Sequence, residues 1–141
     1  MGGVRGWYRP DSTPVLLGGS QESQYAKLQR VIDTFPDKPV IVTEFGSADS
    51  INGYFNWANE KWSENFQAGN VRDSARFILD HPDYSGGMVW QMFDCRSHIH
   101  RIPSDRPRGL NNKGILDRYR KPKLAFFMLQ EVYGRYIESE Q

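Results

Sequence analysis

Cysteine is nearly absent: Cys95 is the single one in 141 residues. An internal disulfide is thereby excluded, and a lone thiol fits a reducing compartment. An excess of charge is lacking too. Lys and Arg number 18 against 17 Asp and Glu, a formal net charge of +1, which gives no electrostatic footing for nucleic acid or an anionic membrane. No apolar run approaches bilayer length, and the opening "MGGVRGWYRPD" has no signal-peptide core, so a cytoplasmic location is the expectation. Zinc-type Cys/His spacing is missing. His98 and His100 lie two apart beside Arg96 and Arg101, which suits a polar loop, and neither a metal nor another cofactor is expected.

Aromatics, by contrast, are plentiful: four Trp, seven Tyr and eight Phe make up 13% of the chain. Such side chains supply core area and also line sites for ring-shaped ligands. The apolar and charged fractions, 38% and 25%, are those of a soluble globular protein, and the length suits one domain with a real core.

Along the chain, turn-rich "PDSTPVLLGGS" reads as loop. After Ser20, an acceptable N-cap, apolar residues recur at Tyr25, Leu28, Val31, Ile32 and Phe35, a helical spacing that Pro36 stops. "PVIVTEF" follows as a strand. Residues 47 to 61 form a long loop. "SENFQAGNVRDSARFILDH" predicts a second helix with Phe66, Val71, Ala75, Ile78 and Leu79 on one side, closed by Pro82 and the Gly86-Gly87 pair. "GMVWQMFD" makes another apolar strand ending on Asp94. A second long loop covers 95 to 113, and a last helix opens near Pro122 with Leu124, Phe127, Met128, Leu129, Val132 and Tyr136. Helix, strand, helix, strand, helix with continuous apolar strands predicts an α/β fold with parallel strands covered on both faces. In such folds ligands bind beyond the carboxyl ends of the strands, where both long loops start. Glu44 ends one strand, with Gly46 just behind it.

"TEFG", "KWSENFQ", "VWQMFD" and "NNKGILDRYRKPKLAFFML" resemble, in that order, the end of the catalytic barrel of glycoside hydrolase family 2, most closely its β-glucuronidases. "GWY" at 6 to 8 matches a further motif that precedes them. The resemblance runs over nearly the whole chain. It implies that residues 1–141 are a carboxyl-terminal fragment of that catalytic domain: a partial (β/α)₈ TIM barrel of about the last three βα units, with Met1 an accidental start. It also implies a carbohydrate (glycoside) substrate and a parent enzyme that can be a homo-oligomer.

By that resemblance Glu44 is the nucleophile of a retaining β-glycosidase, an ionised carboxylate attacking the anomeric carbon. Without it, a strand-end Glu in an ion pair would be the simpler reading. Trp90 matches the tryptophan flooring the sugar subsite, whose indole face suits a pyranose; a core Trp on a buried strand is the competing reading. Tyr8 matches a tyrosine near the nucleophile. Asn111 and Lys113 match the Asn-x-Lys pair that contacts the glucuronate carboxylate, where an ammonium and an amide suit a carboxylate over a hydroxymethyl. Arg106 and Arg108 both miss the spacing of the arginine that precedes that pair. Asp94, Trp62 and Glu64 match residues read as supports for the loops around the site.

The chain departs from the family in one respect that bears on chemistry. Retaining hydrolysis needs a second carboxylic acid, which the family carries in an Asn-Glu pair after the fourth strand. The only Asn-Glu here, Asn59-Glu60, follows the nucleophile and does not fit. The expectation is hydrolysis of β-D-glucuronides by the parent enzyme, with the fragment alone inactive. The alternatives are a β-galactosidase-like member for neutral sugars, or a non-catalytic carbohydrate-binding remnant.

Overall fold

A computed structural model describes residues 26, 29–46, 48–97 and 106–139. Helical residues 29–34 (α1) give way at Phe35-Pro36 to strand β1, Val40–Phe45. Helix α2, Glu64–Asp80, returns the chain to strand β2, Tyr84–Val89, which pairs with β1 in parallel. Short strands β3, Cys95–Arg96, and β4, Leu110–Asn111, then pair antiparallel, and helix α3, Leu124–Ser139, ends the order.

Local chemistry accounts for these elements. Ser63 caps α2 by accepting the Phe66 N–H through its hydroxyl, and Glu64 lies in the first turn, where an acid suits the helix dipole. Val71, Ala75 and Ile78, spaced for one helical face, are buried with Val42, Phe45 and Tyr84 of the sheet and with Ala125, Leu129 and Val132 of α3. The spacing of the second helix, the strand at 40–45 and the Pro36 stop are therefore as the sequence predicts, while Tyr25 and Leu28 of the first helix lie outside the described residues.

The second strand differs. It starts at Tyr84, so Gly86 and Gly87 lie inside it instead of closing the helix. A Cβ on Gly87 would stand 3.0 Å from Ile78 Cδ1 and 3.2 Å from Phe45 Cδ1, so the glycine lets α2 press onto the sheet. Residues 90–94 lie beyond the strand, after a cis Trp90–Gln91 peptide, and run beside 113–116. Coverage also differs: one face of the sheet packs on α2, while Ile41 and Met88 are 54% and 55% exposed. The apolar runs are continuous in sequence, but among the described residues only one face of each is buried.

Candidate active site

Glu44 stands one residue from the end of β1 and is half-buried. Strict alternation would set it on the same face as buried Val42. A register irregularity between Val42 and Phe45 breaks that alternation, so Phe45 takes the buried side and Glu44 keeps partial access to solvent. Gly46 then turns at φ +82, and a Cβ there would lie 3.1 Å from Val71 Cγ2 and 3.2 Å from Val89 Cγ2. Its place behind the acid thus has a local cause: only glycine turns the chain this tightly against α2 and β2.

Three segments meet at this end of the sheet. The Trp90 N–H donates to the Phe45 carbonyl at 2.7 Å, setting Trp90, 43% exposed, beside the end of β1. Gln91 N–H donates to the Lys113 carbonyl at 3.3 Å and Ile115 N–H to the Gln91 carbonyl at 3.0 Å, which brings in the "NNKG" turn. Ser50 N–H donates to the Asn112 carbonyl at 2.9 Å, tying the turn to the loop after β1. Glu44, Trp90, Asn111 and Lys113 therefore belong to one cluster of segments. Tyr8 lies outside the described residues.

Lys113 is 2% exposed. Burial pushes its ammonium below the usual lysine value; the Asp49 carboxylate opposes this, Arg106 adds to it, and Glu44 opposes it. Lys113 and Glu44, far apart in sequence, thus share one electrostatic neighbourhood. The Asn111 Oδ1 accepts the Lys113 N–H at 3.2 Å and so fixes the turn that presents the lysine. Glycine at 114 is demanded by space: a Cβ would fall 2.2 Å from Asp94 N and 2.4 Å from the Leu116 carbonyl oxygen.

Beneath the site lies a buried polar seam that the sequence did not reveal. Lys123, fully buried, donates from Nζ to the Ser50 carbonyl at 2.8 Å, Asp94 Oδ1 at 2.9 Å and the Asn112 carbonyl at 3.1 Å, using all three protons. Asp94 Oδ1 also accepts the Gly114 N–H at 2.9 Å. Burial pushes the Asp94 carboxyl up despite Lys123, and pushes Lys123 down despite Asp94. Gln67 accepts from Ser50 Oγ at 2.6 Å and donates from Nε2 to the carbonyls of Ala48, Lys113 and Gly114 at 3.1–3.2 Å.

Of the residues expected to support loops, Glu64 is 2% exposed and accepts the backbone N–H groups of Gly53 and Leu124 through its two oxygens. Trp62 accepts the Ile51 N–H through its carbonyl at 2.9 Å. A legible trace of Gln67 existed, since it sits four residues before Val71 on the apolar stripe of α2. Lys123, inside the basic string "RKPK", left none. Among the described residues no group of three or more His, Cys, Asp or Glu could hold a metal ion, and no helix is long and apolar enough to cross a membrane.

No family model matches the chain. It is 34% identical over 120 residues to a β-glucuronidase of Streptococcus agalactiae, a match covering 84% of this chain and 18% of that protein. Among solved structures, a family 2 β-galacturonidase of Eisenbergiella tayi bound to galacturonate matches with a TM-score of 0.72 at 32% identity, over 92% of this chain and 22% of that one. A β-glucuronidase of Bifidobacterium dentium complexed with coumarin-3-O-glucuronide matches with a TM-score of 0.68 at 28% identity, over 96% and 20%. The chain spans less than a fifth of the length of the curated relatives it matches. By sequence and by structure it is a relative of the β-glucuronidases and β-galacturonidases of glycoside hydrolase family 2.

Proposed function

We propose that this chain carries the nucleophile and the carboxylate-reading part of a retaining β-glycosidase for β-D-glucuronides, within a longer polypeptide whose catalytic unit is a (β/α)₈ barrel. In this reading β1–α2–β2 is its final βαβ unit, with β1 and β2 the seventh and eighth strands. The observation that carries the reading is the convergence of Glu44, at the carboxyl end of β1, with buried Lys113 in one electrostatic neighbourhood.

The chemistry follows from those positions. Glu44 as carboxylate attacks the anomeric carbon while the bond to the leaving oxygen breaks, giving a glycosyl ester. Water then cleaves that ester and restores the starting configuration. A second carboxyl group, about 5–5.5 Å from Glu44, protonates the leaving oxygen and later deprotonates the water; in this reading another part of the longer polypeptide supplies it. The Lys113 ammonium and the Asn111 amide receive the sugar carboxylate, a preference that a plain hydroxymethyl group cannot satisfy. Trp90 offers its indole as the floor. A β-galacturonide is a second reading, favoured by the galacturonate-bound relative; it differs only at C4 and keeps the carboxylate.

Trapping tests the assignment. The full-length enzyme, treated with a 2-deoxy-2-fluoro glucuronosyl fluoride and digested, should yield one labelled peptide with the sugar on Glu44. A label on any other residue overturns it.

A further inference from the structure

Asp49 has no place in the chemistry above, yet it is fully buried and, among the described residues, neither of its carboxylate oxygens has a hydrogen-bond partner. A lone buried carboxylate is an expense that folding alone does not explain. Its surroundings are built with care. Residues 48 and 50 on either side of it are tied to the "NNKG" turn: Gln67 Nε2 bridges the Ala48, Lys113 and Gly114 carbonyls, and Ser50 N–H donates to the Asn112 carbonyl. Asp49 and Lys113, 0% and 2% exposed, therefore lie on two segments tied to each other by the Gln67 side chain and the Ser50 N–H, with Asp49 within electrostatic reach of Lys113.

We propose that Asp49 is the positioning residue for Lys113, holding its ammonium charged in a buried site so that it can receive a sugar carboxylate. The proposal rests on the reading of Lys113 given above. The charged groups around the pair come from each neighbouring segment: Glu44 from β1, Lys61 from the loop after it, Arg106 before β4, and Lys123 before α3. Lys123 is committed to Asp94. Lys113 first and then Arg106 exert the strongest pull on Asp49, and Asp49 in turn is the leading support for the charge on Lys113, ahead of Glu44.

The consequences for pH have a definite sign. Burial raises the Asp49 carboxyl from 3.8 to about 6, against the pull of Lys113 first and then Arg106, Lys123 and Lys61. Near neutral pH it is ionised and supports the charge on Lys113, which burial pushes the other way. Without it Lys113 loses its proton at a lower pH. Below about pH 6 Asp49 takes up a proton, and its repulsion toward a bound sugar carboxylate disappears.

The test uses the full-length enzyme, with D-glucuronate and D-glucose as competitive inhibitors across pH. The ratio of their inhibition constants cancels titrations that affect both sugars. In the parent, preference for glucuronate should strengthen as pH falls through about 6 and decline at alkaline pH. In Asp49→Asn the step near 6 should vanish. The alkaline decline should move to lower pH, so that the preference for glucuronate weakens on that limb. Asp49→Glu should restore the alkaline limb, and the melting temperature of Asp49→Asn should not fall, because no hydrogen bond is lost. A parental pH profile in Asp49→Asn overturns the proposal. So does an insoluble or less stable protein, or equal loss for both sugars, since each marks a merely structural role. Failure of the underlying reading looks different: Lys113→Ala itself would leave the ratio of the two sugars unchanged.

Discussion

Lys123 ends in a pocket where every proton of its ammonium is used, one of them on Asp94. Lys123→Met keeps the stem's volume but leaves Asp94 buried without its counter-charge, and breaking a buried pair this way costs roughly 3–5 kcal/mol. Urea unfolding of the full-length enzyme should show that loss in the unit containing the site, and Asp94→Leu added to Lys123→Met should recover much of it. Asp49 behaves oppositely. The folded chain holds its proton to about pH 6 and the unfolded chain only to 3.8. Between those values the unfolded state binds fewer protons, so stability falls as pH rises. The cost on reaching neutral pH is about 3 kcal/mol, and Asp49→Asn should flatten this part of the curve when stability is followed from pH 4 to pH 7. Glu44 was legible as a candidate because an acid at a strand end followed by glycine is a local pattern. Asp49 and Lys123 were not, because burial of a charge depends on partners brought from distant segments.

Glycines divide the elements into places where the chain must pass close and places where it need not. At Gly114 an added methyl would collide with backbone atoms of Asp94 and Leu116, which cannot step aside as a side chain can. Gly114→Ala should therefore separate the 91–94 and 113–116 segments, at a cost of about 3 kcal/mol or more, and glucuronide turnover should fall along with the melting temperature. Gly69 in α2 and Gly134 in α3 have open space at the same position. Alanine at either should stabilise the helix by roughly 0.5–1 kcal/mol and leave turnover unchanged. A Gly114→Ala enzyme as stable as Gly69→Ala would show that the close approach is not required. The helices were legible because their apolar spacing repeats over several turns. Helix α2 even announced its own start with Ser63 and Glu64. The start of β2 was not, since Gly86-Gly87 reads locally as a break, and only the nearness of Ile78 and Phe45 explains why glycine belongs inside this strand. The paired runs 91–94 and 113–116 were hidden for a similar reason: their hydrogen bonds join segments that carry no shared pattern.

At the scale of the whole chain, chemistry and packing lead to one expectation: residues 1–141 expressed alone should not hydrolyse glycosides. Among the described acids, Asp94 cannot serve as the second carboxyl group, because it is held by Lys123 and the Gly114 N–H. Asp49 cannot serve either, being wholly enclosed beside Lys113. Glu64 spends both oxygens on backbone N–H groups. None of these three can protonate the leaving oxygen for Glu44, and general acid catalysis of that kind is worth about 10²–10⁴-fold. Packing adds a separate obstacle. Among the described residues only β1 and β2 pair in the parallel sheet, and Ile41 and Met88 on its other side are exposed. In a complete barrel that face would be filled by the inward side chains of the remaining strands. Exposed on its own, it favours self-association. The purified chain should accordingly elute as aggregates or bind a hydrophobic dye, and a fluorogenic glucuronide and galactoside should both remain intact. Turnover by a soluble monomer that disappears with Glu44→Gln would mean that a second acid is present within these residues. Asp94→Asn would be the first variant made to locate it.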